Sequence, residues 1–223
     1  MIEKASHHDA PAGFTLVEMS IVLFVIALLT AFVLKGRVFI DSAKSTDLIA
    51  TTKDISAALS DFKSRYRFLP GDLPGAAADL SAIAAGAACD IANTTGGIGN
   101  GQIDTSGEIG CVSVHLAAAG MASKTAADGS FNGTYGRVWV MGRNAGLNTA
   151  ITLCSRSGSA GVALSGAVDG LKPALAVFEQ IPADVGQRLD SEFDDGNPAT
   201  GAIRGSAAYA PNTVLSCFAL PVY

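Results

Sequence analysis

The sequence predicts an α+β protein: a long N-terminal helix, apolar and then amphipathic, followed by a domain of short strands and helices. Three observations carry this. From Phe14 to Leu34 the chain is apolar with one ionisable side chain, Glu18. No proline then interrupts it before Pro70, and apolar residues recur at helical spacing. Beyond Pro74 the composition shifts to Gly, Ala, Ser and Thr, with brief alternating stretches of strand type.

The apolar run comes first. At ~1.5 Å per helical residue it reaches ~31 Å, enough for a hydrocarbon core of ~30 Å. A carboxylate within such a segment is costly and calls for a partner. A secretory signal places its small residues after a shorter apolar core. Here Pro11-Ala12-Gly13 precede the run, and the polar leader MIEKASHHDAPAG carries mixed charge. A cut after Gly13 would remove the leader alone and make Phe14 the new amino terminus. Charge counting leaves the orientation ambiguous, because Lys35 and Arg37 follow the helix and only Lys4 and two histidines stand in the leader.

Gly13 followed by Phe14-Thr15-Leu16-Val17-Glu18 and an apolar helix resembles the processing signal of type IV pilins and type II secretion pseudopilins. The resemblance implies that a prepilin peptidase cuts after Gly13 on the cytoplasmic side and methylates the Phe14 amine. It also implies that Glu18 pairs with the amine of a neighbouring subunit. A buried carboxylate matched to an ammonium would fix the register of two helices.

The amphipathic half follows. Leu48, Ile55, Leu59, Phe62 and Tyr66 are spaced by 7, 4, 3 and 4, one face of a helix. Asp47, Lys53, Asp54, Asp61, Lys63 and Arg65 lie between them. The helix is expected from Phe14 to Tyr66, ending at Leu69-Pro70-Gly71-Asp72-Leu73-Pro74-Gly75, where two prolines and two glycines cannot propagate it. The tract FKSRYRFLPGDLPGA also resembles the linker of a subset of large pilin-like proteins. Many type IVa pilins place a proline where this chain has Lys35, followed by Gly36, a softer hinge.

In the remaining domain, Ala76 to Ala88 suits a short helix, and His115 to Gly120 reads as a helical turn closed by glycine. Strand candidates are Tyr135 to Met141, Ala150 to Cys154 and Val214 to Leu220, with Lys172 to Glu179 either strand or helix. Val138 and Val140 alternate with Arg137 and Trp139, suiting a sheet with unlike faces. The resemblance implies a pilin-like headpiece, an antiparallel sheet packed on the C-terminal half of the long helix.

Cys89, Cys111, Cys154 and Cys217 all fall in the predicted exported domain, an even number that suggests disulfides. Three pairings are possible. The favoured one joins Cys89 to Cys111, closing a glycine-rich loop, and Cys154 to Cys217, tying the C-terminal strand to the sheet. Zinc is disfavoured: there is no C-x-x-C, and His115 is the only histidine beyond the leader. Two acidic stretches carry calcium-type oxygens: Asn100 to Asp104 with Glu108, and the denser Asp190, Glu192, Asp194 and Asp195. Some pseudopilins bind calcium in the latter part of the headpiece. No other cofactor is expected.

Charged residues make up 16% of the chain and the net charge is −5, which gives no electrostatic case for nucleic acid. His115 lies among apolar residues and reads as structural rather than as a base for Ser113. The glycine runs near residue 99 lack the strand, helix and lysine of a phosphate loop.

The expected organisation is a leader at 1–13, a transmembrane half-helix at 14–34, an amphipathic half-helix at 35–66 and a headpiece at 67–223. The expected function is structural, not enzymatic: a major or minor subunit assembled into a type IV pilus or a secretion pseudopilus. Its partners would be the peptidase, other pilin copies and an inner-membrane assembly platform. Before assembly it would cross the inner membrane once with a periplasmic headpiece; afterwards it would stand in a surface filament. The alternative is an adhesin-like minor pilin at the filament tip, binding a surface or secreted substrate.

Overall fold

The computed structural model describes residues 13–90, 98–103, 105–126, 128–142 and 174–222. The leader up to residue 12, the strand expected at Ala150 to Cys154, Cys154 itself and Asp104 lie outside these residues. The fold is α+β, and the chain divides into two compact units, Met1–Ala43 and Lys44–Tyr223.

Helix α1, Leu16–Tyr66, contributes to both units. In the first unit, Leu16–Val33 has a mean hydropathy of 2.6 and none of it is buried. By length and composition this is a membrane span or a signal sequence. In the second unit the expected stripe is the buried face: Leu48, Ile55, Leu59 and Phe62 join the core, and Tyr66 packs at its edge. Among the described side chains of this helix, Ser45 is the first buried one, about three turns past Val33. Lys63 and Arg65 stand in the last turn, where cations complement the helix dipole. The helix closes at Arg67, whose φ of 66° and N–H bond to the Lys63 carbonyl (2.8 Å) form a left-handed cap.

The prolines and glycines after it leave only the short α2, Ala76–Asp79, in place of a helix reaching toward Ala88. The expected turn at His115 belongs to a full helix, α3, Ser106–Ala118. Thr105 and Glu108 cap its start reciprocally, a T-x-x-E box that was readable in the sequence. At its end, Met121 N–H reaches Leu116 O (2.8 Å) and Gly120 N–H reaches Ala117 O (3.0 Å), with Gly120 at φ 70°. That is the Schellman closure expected of the glycine.

The strands are β1 (Phe131–Gly133), β2 (Gly136–Gly142), β3 (Ala174–Phe178), β4 (Ile181–Pro182), β5 (Arg204–Gly205), β6 (Val214–Leu215) and β7 (Phe218–Pro221). Five form one sheet in the order β1-β2-β3-β7-β5, with every pairing antiparallel. A small second sheet pairs β4 with β6. The described part of the segment expected at 172–179 is therefore a strand, Ala174–Phe178, and the single strand expected from Val214 to Leu220 is two, serving different sheets.

The alternation in β2 separates two apolar layers. Val138 and Val140 face the main core with Phe62, Leu116 and Phe178. Trp139 and Met141 face a second cluster with Leu175, Val177, Cys217 and Ala219. Both faces are buried, and Trp139 satisfies its indole by donating to the Glu179 carboxylate (2.9 Å). An amphipathic helix that the sequence reading did not anticipate, α4 at Ala183–Phe193, buries Val185 and Leu189.

Candidate functional site

Three local constructions hold the chemistry-bearing residues. The first opens α1. The Thr15 hydroxyl accepts the Glu18 N–H (3.2 Å), while the Glu18 carboxylate accepts the Thr15 N–H (2.7 Å) and O–H (2.8 Å). This is a capping box, Thr15 as N-cap and Glu18 at the third helical position. The carboxylate thus has a partner inside its own chain, a role the sequence reading missed although T-x-x-E spells it. Gly13 has open space around it, and Phe14 is exposed.

The second construction is the turn after α1. The Asp72 carboxylate is fully buried and accepts N–H bonds from Gly99 (2.5 Å), Asn100 (3.2 Å) and Gly101 (2.7 Å). Gly99-Asn100-Gly101 form a nest of amides closed on the protein's own anion. Gly71 lies flat on α3: its φ is 91°, and a Cβ there would come 2.5 Å from the Glu108 carbonyl oxygen.

His115, also fully buried, accepts the Gly71 N–H at Nδ1 (2.9 Å). That leaves Nε2 as the protonated nitrogen, donating to the Cys89 carbonyl (2.8 Å). Burial lowers its pKa against the opposing pull of the Cys89 carbonyl and of Asp90. Both ring nitrogens are committed, so the ring ties the turn to the disulfide loop. Cys89 and Cys111 are bonded, with Cα atoms 5.3 Å apart. Cys217 is also disulfide-bonded; the partner expected for it, Cys154, lies outside the described residues.

Two oxygen donors of the first calcium candidate are engaged within the chain, and its Asp104 lies outside the described residues. Glu108 closes the α3 capping box, and the Asn100 side chain accepts the Gln102 N–H (2.7 Å) in a turn.

The third construction is the acidic loop after α4. Asp190, Asp194 and Asp195 bring ligand atoms within 4.8 Å of one another, and Glu192 is not among them. The loop uses these groups itself. Asp190, fully buried, accepts the Gly196 N–H (3.1 Å) and the Tyr209 O–H (2.6 Å). Asp194 accepts the Ala202 (2.5 Å) and Ile203 (2.8 Å) N–H groups, and a Cβ at Gly201, φ 72°, would overlap its carboxylate. Asp195 accepts from Asn197 N–H (2.9 Å) and the Thr200 hydroxyl (2.5 Å).

Desolvation, with the Asp194 and Asp195 charges, raises the pKa of Asp190 against the lowering bonds from Tyr209 and Gly196. Tyr209 is pushed up by burial and by that same carboxylate. The Thr200 hydroxyl, more than any other partner, holds Asp195 down. Three convergent carboxylates suit a hard cation such as calcium. Asp190, Asp194 and Asp195 would hold it, in competition with the loop's own donors.

No family model, curated protein or solved structure matches the chain. The functional reading therefore rests on these residues alone.

Proposed function

We propose that this chain is a filament-forming subunit of the type IV pilin kind, stored in the inner membrane by the apolar half of α1. The observation that carries the reading is the N-terminal motif. Gly13 stands immediately before Phe14-Thr15-Leu16-Val17-Glu18, at the head of an apolar helical stretch with no part of it buried. A helix that is apolar on every side has no fate in water. Lipid can solvate it before assembly, and equivalent helices can solvate it afterwards.

On this reading a prepilin peptidase removes the leader after Gly13, and the Phe14 amine becomes a cation at the helix start. Glu18 exchanges its bonds with Thr15 for the Phe14 ammonium of an adjacent subunit. The headpiece, with its antiparallel sheet and the stripe of α1 in one core, is the pilin-like body left outside the membrane.

The deciding experiment compares cells with and without the chain by electron microscopy of sheared surface material. A structural subunit is abundant in the filaments, and its loss abolishes them. Normal filaments in its absence, with none of the chain in the sheared fraction, would refute the reading.

A further inference from the structure

Outside the membrane-length stretch, the exposed large apolar side chains among the described residues are Phe39, Ile40, Phe193 and Val214. Phe39 is 74% exposed on α1, and Phe193 is 57% exposed at the end of α4. Beside Phe193 lies an apolar groove of about 200 Å³, walled by Ile49, Leu189, Phe193, Ile203, Leu220 and Pro221. A cavity of ~150 Å³ lined by such side chains accepts benzene, so this groove has room for one phenyl ring.

The charges select an occupant. Glu192, exposed, adjoins Phe193 at the C-terminal end of α4, where the helix dipole is negative and Asp194 and Asp195 follow. The groove's own cation, Lys53, belongs to the α1 wall. A matching ligand carries an aromatic ring with a cation one turn away, placed toward α4. Lys35, exposed, precedes Phe39 by four residues, on the same helical face at ~5–6 Å.

We propose that the groove beside Phe193 seats Phe39 of a second copy of this chain, with that copy's Lys35 set against Glu192. The proposal rests on the filament reading and names a surface for it. Knob and groove occupy different places on one chain, so the contact is heterologous. Such contacts propagate into open helical assemblies unless the rotation closes them into a ring.

The test places the photo-crosslinker p-benzoylphenylalanine at position 193 of the full chain. Probe-bearing copies are co-expressed with ¹⁵N-labelled copies, and sheared material is irradiated and analysed by mass spectrometry. The expected adduct joins a light copy to a heavy one within the peptide carrying Phe39, and the reciprocal probe at 39 marks the end of α4. Lys35→Glu should reduce the adduct roughly two- to fivefold, the range of an exposed ion pair, and adding Glu192→Lys should restore it.

Adducts with lipid, within one copy, or with another segment of the second copy would overturn the groove assignment. A control probe at Leu29 separates the two ideas. If Leu29 marks other copies while 193 does not, the groove assignment falls and the filament reading stands. If neither position marks another copy, both fall.

Discussion

The tautomer of His115 can be read out by two near-isosteric replacements. His115→Asn keeps an acceptor where Nδ1 takes the Gly71 N–H, and loses the donor to the Cys89 carbonyl. His115→Gln keeps a donor where Nε2–H reaches Cys89, and orphans the Gly71 N–H, whose residue is buried. Both variants lose the same ring packing against Phe62, centroids 6.2 Å apart, so that cost cancels in their difference.

Leaving a buried N–H unpaired costs about 1–3 kcal/mol, and losing an ordinary hydrogen bond about 0.5–1.5 kcal/mol. His115→Gln should therefore be the less stable by about 1 kcal/mol, roughly 2–4 °C in Tm. The assay is thermal unfolding of the full chain in detergent with disulfides intact.

Burial of the same ring sets a pH dependence. The native pKa of His115 lies below its ordinary value of 6.5, so the unfolded chain binds the proton more tightly. Its contribution is fully present above about pH 6.5. It falls away as the pH drops toward the native pKa, by at most ~1.4 kcal/mol per pH unit. Asp190, with its raised pKa, acts in the opposite sense, so the measured quantity is the difference between wild type and His115→Asn at each pH. Equal melting of the two variants, a reversed order, or a wild-type advantage over His115→Asn that grows as the pH falls would refute the assignment.

Four further outcomes are expected. Gly13→Glu should block leader removal on the proposed reading, and a mature mass unchanged by it would place the cut elsewhere. Glu18→Ala should leave membrane insertion intact but lower incorporation into sheared filaments; a normal yield would remove Glu18 from assembly. Asp72→Asn turns an NH₂ toward amides that need an acceptor and should cost about 2–4 kcal/mol, as seen in a lowered Tm; a shift under about 2 °C would contradict it. Replacing both Cys89 and Cys111 by serine frees a loop whose ends are 22 residues apart and should cost about 3 kcal/mol on the chain-entropy account, again read from the Tm.

What the sequence revealed divides along physical lines. The stripe Leu48 to Phe62 and the alternation in β2 were legible because side-chain period reports directly on which face is buried. The arrest at Pro70 to Gly75 was legible because those residues cannot continue a helix. Two capping boxes passed unnoticed: Thr15–Glu18 was overshadowed by its processing motif, and Thr105–Glu108 lay within a tract read for calcium.

Asp72 stood in the sequence only as one residue of the tract that ends α1. Its work is to accept amides from residues 27–29 positions away, and no local pattern predicts that. For the same reason Glu192 looked equivalent to its acidic neighbours. It stands on a different side of α4 from Asp190, which only the folded helix reveals.

The closed ring of bonds between Thr15 and Glu18 has a consequence for a chain held in reserve. An unpartnered carboxylate at a helix start would attract any ammonium in the membrane, and a stored pool would pair indiscriminately. With the ring closed, the carboxylate keeps its charge but already has hydrogen-bond donors in its own chain. A competitor must exceed a cap worth roughly 0.5–2 kcal/mol before it can take the carboxylate. On the proposed reading that sets a threshold: brief encounters between stored chains dissolve, and only a contact that also packs the helices persists. On the same reading the ring receives Glu18 again when a subunit leaves the filament, so the released carboxylate regains hydrogen-bond donors at once.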